Sequence, residues 1–333
     1  MKLLEGNEKE ARMGKMRQHT QPRRDLPRSL RYTLGAAAAL FLFVALSGAR
    51  AQLPRRPNLP PDIWVKEDSL RDLSKALRFH ASFDNGPDAD FGFGNRKIYT
   101  AVSYKALQDS KPGIGNPDVV IAKGQGRFGD ALQFRKKNTM AVFFWAENNV
   151  PYSNRDWKGT ISFWLNLTPD EDLAPGYCDP IQVTDKAFNN AAIWTDFTRD
   201  DKPRHFRLGV FGDLKVWNPK GLPPEQDANF NQRTIVVTQP PFTRGKWTHV
   251  VITWTALNTQ NGGVARLYLN GQPQGSAKDI REPFTWNASQ STIRLGVNYV
   301  GLWDELSVFD RPLGDKEVET LYQLKHGVGS LRK

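Results

Sequence analysis

Carboxylates are the first residues whose spacing could do chemistry. Two acids at alternate positions of one strand share a face, which is the arrangement a glycosidic acid and nucleophile need. No strand-like segment carries that pattern. Glu225 and Asp227 have the spacing but lie among Pro219, Pro223 and Pro224, and Asp170 and Asp172 follow Pro169. Asp304 and Glu305 are adjacent, so on a strand they point to opposite faces. Neither G-x-S-x-G nor H-E-x-x-H occurs. The five histidines are scattered, and His249 sits within KWTHVVITW, where a packed or edge histidine is commoner than a base. These residues imply no catalytic set and no enzyme.

Binding chemistry has more to draw on. Of the ten tryptophans, Trp164, Trp247, Trp254 and Trp303 fall in strand-like segments and read as core or sheet-face packing. Trp145, Trp157, Trp217 and Trp286 fall at strand ends or in loops. Exposed there, they could stack on the apolar faces of sugar rings; buried, they would pin loops to the body. Asn166-Leu-Thr168 and Asn287-Ala-Ser289 are glycosylation sequons, relevant in a host that glycosylates exported proteins. Cys178 is the single cysteine, so no intramolecular disulfide forms and zinc sites built on paired cysteines are excluded.

The elements that must position these residues begin after a leader. Residues 1–33 are polar and basic, residues 34–46 are uncharged and apolar, and Ala49-Arg50-Ala51 follows. That is an n-region, an h-region and a cleavage signal, so residues 1–51 read as a signal peptide cut between Ala51 and Gln52. The implied location is secreted, periplasmic or cell-surface. Retention of the leader as a single-pass anchor is the alternative, although a span needs about 20 apolar residues. Residues 1–51 carry 10 Lys+Arg and 4 Asp+Glu, leaving 36 basic and 31 acidic residues, a net of +5. A chain so balanced gives no reason to expect nucleic acid as a partner.

Residues 52–76 read as a proline-rich linker and a short helix, with Leu70, Leu73 and Leu77 at helical spacing. Ten strand-like segments follow, over 78–83, 129–134, 159–167, 191–197, 204–211, 233–238, 246–254, 264–271, 291–297 and 301–309. Asn270-Gly271 marks a hairpin, because both residues tolerate positive φ. Asp84–Asn116 and Trp217–Asn231 read as inserted loops, and DKEVETLYQL closes the chain as an amphipathic helix. The economical architecture is all-β: two antiparallel sheets with a short C-terminal helix.

FHASFDN, GRFGDALQF, GTISFWLNL, GKWTHVVITW, ARLYLNGQPQG and GLWDELSVFDRPLGDKEVETLYQ together resemble the laminin-G-like branch of the concanavalin A-like lectin/glucanase superfamily. The resemblance implies a jelly roll of two curved antiparallel sheets over 77–327, with 328–333 as a tail. Gly314 departs from the usual Ser or Thr helix cap, and Trp303 from a commoner aliphatic residue. The superfamily often holds a structural calcium tying the first strand to the last. The matching positions are Asp84 and Asp304, with a carbonyl near Gly126 or Gly129 as a further ligand. The fold hosts lectins, adhesion modules and hydrolases alike. The expected function is a non-catalytic extracytoplasmic binding or adhesion module recognising a glycan or a cell-surface protein through rim loops. The alternative is a diverged laminarinase-type glycoside hydrolase.

Overall fold

The computed structural model describes residues 61–137 and 139–332. The expected leader and cleavage point, and the first part of the linker, lie outside the described residues. Among the described residues no helix is long and apolar enough to cross a membrane.

In chain order the strands are β1 (Leu77–Ala81), β2 (Phe91–Gly92), β3 (Ile98–Ala101), β4 (Lys111–Pro112), β5 (Val119–Ala122) and β6 (Ala131–Phe134). Next come β7 (Ala141–Trp145), β8 (Trp157–Asn166), β9 (Cys178–Thr184), β10 (Ala192–Phe197), β11 (Phe206–Phe211) and β12 (Thr234–Val237). The last are β13 (Thr248–Leu257), β14 (Gly263–Leu269), β15 (Gln272–Ile280), β16 (Thr292–Val297) and β17 (Gly301–Phe309). One sheet runs β15-β14-β13-β8-β17-β1-β2, with β6 also on β17 and β5 on β6; the other runs β12-β11-β10-β9-β16-β7-β3-β4. The named pairings are all antiparallel, as a jelly roll requires, and β1 pairs directly with β17.

The alternation in the sequence explains the sandwich. Ile161, Phe163 and Leu165 of β8 enter one core with Phe79, Val250, Ile252, Ile293, Leu295, Leu208 and Val210 from both sheets. Burying each such side chain contributes about 1.5–3 kcal/mol. Trp303 stacks on Phe163 at 4.9 Å, so the sequence's unusual tryptophan fills core volume. The Asn270-Gly271 turn joins β14 to β15 with φ of 50° and 79°, as the hairpin signal implied.

Packing extends past both expected domain limits. The N-terminal helix starts earlier than its leucine spacing suggested, at Pro61, and runs to Ala76. Its Leu73 and Ala76 join Leu77, Phe309, Leu313, Val318, Leu321 and Val328 in a second cluster outside the first sheet. The C-terminal helix Asp315–Gln323 lies in that cluster, and Val328–Arg332 forms a 3-10 turn with Val328 buried. One sheet's outer face is thus covered by the helix Pro61–Ala76 and by residues 313–328. The segment read as an inserted loop over 84–116 also supplies β2, β3 and β4.

Candidate functional site

The two acids expected to bind calcium reach one loop. Asp304 is fully buried; its Oδ2 accepts from Arg127 N at 2.7 Å and Phe128 N at 3.2 Å, and its Oδ1 accepts from Glu305 N at 2.8 Å. Asp84 Oδ1 accepts from Asp130 N at 2.8 Å. Gly129 has a φ of +74°, and a Cβ there would sit 2.2 Å from Asp84 Oδ1, so the carboxylate packs directly on the loop backbone. Burial, and then the Glu305 charge, push Asp304 up to about 9 against the pull of its backbone donors. Asp84 is also raised, mainly by burial. The donors here are all hard oxygens, as calcium prefers, with Asp84 Oδ2 and a lone pair on Asp304 Oδ1 left over. Among the described residues no three His, Cys, Asp or Glu side chains gather as metal ligands, so backbone carbonyls and water would have to complete a shell. Gly129 O already accepts from Gly126 N at 2.8 Å.

The loop tryptophans are placed differently from the expectation of exposed stacking rings. Trp157 and Trp286 lie in the main core with ring centroids 4.6 Å apart, and Trp286 stacks on Tyr152 at 5.1 Å. Trp286 Nε1 donates to Ala191 O at 2.6 Å. Trp217 is buried against Phe211 and Phe230, and its Nε1 donates to Asn189 O at 2.9 Å. These three rings pin loops, which corrects their reading as ligand platforms. Trp145 stays half-buried on the outer face of the second sheet, beside Phe143 and Tyr99.

The remaining candidates have structural duties. Asp227 caps the helix Ala228–Gln232 by accepting from Asn229 N. Glu225's side chain lies outside the described residues. Asp170 Oδ1 accepts from Arg204 N, and Asp172 binds Thr168 N and Arg244. Ser162 Oγ lies 2.8 Å from His249 Nε2, a nucleophile–base distance. The pair is buried, His249 is stacked on Trp164 and Tyr322, and among the described residues its Nδ1 has no orienting partner. Burial, and then Arg127, hold that histidine down to about 3, so it is a neutral packed side chain.

A cleft does form on the outer face of the second sheet. Its volume is about 240 Å³, and it is lined by Tyr177, Asp179, Gln182, Phe188, Trp194, Asp196, Arg207, Phe230, Val297 and Asn298. Register builds it. Val297 of β16 faces Asp179 of β9, and Asp196 of β10 faces Arg207 of β11. The β9–β10 register shifts between Thr195 and Phe197, at Asp196 itself, which brings the two aspartates into one row. The next row is Arg294, Gln182, Trp194 and Gly209. A Cβ on Gly209 would lie 2.2 Å from Trp194 Cζ2, so glycine is what lets the indole lie along the sheet. Arg207 donates Nε to Asp196 Oδ1 at 2.8 Å and Nη2 to Asp196 Oδ2 at 2.6 Å. Its guanidinium also lies 4.9 Å from the Tyr177 ring centre, 5.6 Å from Trp194 and 5.8 Å from Phe230. Asp179 accepts from Gln182 Nε2, and burial followed by the Asp196 charge push it well above the ordinary carboxylate range. Sequence reasoning missed these residues. The available signal was Trp194-x-Asp196, a same-face pair inside AAIWTDF.

Residues 144–319, more than half of the 333, match the family described as the Concanavalin A-like lectin/glucanases superfamily. The chain belongs to that superfamily. The match spans β8 to β17, including all the strands of the cleft. No curated protein matches the chain. Among solved structures, it is similar to domain 4 of AbnA, a GH43 extracellular arabinanase from Geobacillus stearothermophilus, solved with arabinotriose. Identity there is 18%, covering 74% of this chain and 98% of that one, with a TM-score of 0.46. It is also similar to the botulinum neurotoxin serotype D ligand binding domain solved with N-acetylneuraminic acid, at 12% identity over 77% of this chain and 52% of that one, TM-score 0.48. The binding domain of Paraclostridial Mosquitocidal Protein 1 follows at 16% identity, 75% and 52% coverage, and TM-score 0.42. The chain spans about half the length of these last two structures.

Proposed function

We propose that this is an exported, non-catalytic binding module of the superfamily that recognises carbohydrate through the outer-face cleft. The observation that carries the reading is the row of Asp179, Asp196 and Arg207 beside Trp194 and Tyr177. Polar groups able to orient hydroxyls sit there against aromatic walls, the usual composition of a small-molecule site. The site lies on a sheet face, where strand pairing fixes the side chains, rather than on the rim loops. A hydrolase would need one of the paired acids free to attack or to activate water. Asp196 has both oxygens bound by Arg207, which supports binding without turnover. A glycan array and polysaccharide pull-down with the secreted protein test the reading. Retention on one glycan class, without release of reducing sugar, is expected. Silence toward all polysaccharides and cell-surface extracts refutes it and leaves a structural role.

Calcium belongs to the same proposal. Asp84 and Asp304 would hold it with backbone carbonyls, and its charge would keep Asp304 ionised despite burial. It would serve the junction of first and last strands, not the cleft.

A further inference from the structure

We infer that the outer-face cleft seats one uncharged sugar ring by two neighbouring hydroxyls, Asp179 accepting from one and Arg207 donating to the other. This rests on the glycan-binding reading above and gives it a ligand class.

Asp179 is 8% exposed, yet among the described residues it makes one hydrogen bond, from Gln182 Nε2 to Oδ2. Its Oδ1 is left open in the wall of a cavity. Buried polar groups are nearly always paired, so a half-used buried carboxyl facing a cavity marks a place for a partner. Arg207 spends Nε and Nη2 on Asp196, and Nη1 has no acceptor among the described residues. Trp194 Nε1, on the same wall, is buried with no partner among the described residues. An open acceptor beside open donors matches hydroxyls, each of which both gives and takes a proton.

Size and charge narrow the class. At about 240 Å³ the cavity falls below the roughly 300–1,000 Å³ of pockets for drug-sized ligands, which leaves room for a single ring. Phe188, 43% exposed at the edge, and the half-buried Tyr177 offer apolar surface to the C–H faces of that ring, while Trp194 forms the buried floor beneath them. The cleft's one guanidinium, Arg207, is already paired with Asp196, and burial holds Asp179 toward its neutral form. A ligand carboxylate would therefore be desolvated there without an unpaired positive charge to receive it.

Isothermal titration calorimetry on the full chain tests this. The probes are neutral mono- and oligosaccharides, hexose and pentose, and the corresponding uronates. At least one neutral sugar should bind, with its oligomer within about tenfold of the monomer because one ring is seated. Asp179→Asn should weaken binding about tenfold or more, because Gln182 would hold the amide oxygen and leave a donor where the ligand hydroxyl needs an acceptor. Phe188→Ala, at an exposed loop position, should weaken it while keeping the wild-type melting temperature, and so decides the case if Asp179→Asn misfolds. Tighter binding of uronates, or neutral-sugar binding indifferent to both variants, overturns the inference and leaves the glycan reading standing. Binding of no sugar at all overturns the glycan reading itself.

Discussion

Asp304→Asn, combined with a pH series, tests the electrostatics of the β17 junction. Asp304 accepts three backbone N–H groups from Arg127, Phe128 and Glu305. Asparagine keeps one acceptor oxygen and turns a donor toward the other side, so at least one buried N–H loses its partner. That costs about 1–3 kcal/mol at neutral pH. In a large domain each kcal/mol lowers the melting temperature by roughly 2–4 °C. The pH dependence carries a definite sign. Burial raises Asp304 to about 9 and Glu305 to about 8, so the folded chain keeps protons that the unfolded chain has lost. Stability is then fullest below the ordinary carboxylate range and falls as pH rises toward 8–9. His80 and His249, held down to about 4 and about 3, act oppositely, but only below the ordinary histidine value of about 6.5. Between pH 6.5 and 8 the acids decide, each with a slope of up to about 1.4 kcal/mol per pH unit. Urea titration followed by tryptophan fluorescence, with chelator present to exclude cations, measures this. Wild type should lose stability across that window, and Asp304→Asn should lose it less steeply. Wild-type stability that is flat or rising over the same window refutes the reasoning.

Calcium should raise the wild-type melting temperature by roughly 5–11 °C, from about 2.7 kcal/mol at one hundred times Kd, while Asp304→Asn melts the same with calcium or chelator; a wild-type curve indifferent to both removes the ion. Trp286→Ala should cost about 3–5 kcal/mol in chemical denaturation, since it empties the ring cluster with Tyr152 and Trp157; a loss below 1 kcal/mol would show that the ring is not core. Gly209→Ala should displace Trp194 and weaken sugar binding more than it lowers stability, read as a changed tryptophan emission together with a weaker titration. Protein recovered from its host should begin at or near Gln52 by N-terminal sequencing, and an intact leader in membranes would favour the anchor instead.

The sequence by itself determined the sandwich, because burial on one face writes a period of two into the chain. β8, β13, β14, β16 and β17 were all legible that way, and Asn270-Gly271 fixed a hairpin through a backbone conformation few residues tolerate. Strands that break the period escaped. β9, CDPIQVT, is interrupted by Pro180 after Asp179, and β7, AVFFW, is a continuous apolar run, so neither shows the alternation. β2 and β4 have two residues each, too few to show a pattern. The terminal segments looked like linker and tail because their partners, Phe309 and Glu305, lie far along the chain. The fates of the loop tryptophans were equally open: a ring that pins a loop and a ring that awaits a sugar are the same residue until something covers it. The cleft depended on tertiary structure most of all. Asp179, Asp196 and Arg207 belong to three strands, and only antiparallel register, shifted at Asp196, sets them in one row. Spacing along a chain reports which face a side chain takes, whereas pairing between strands decides which side chains meet.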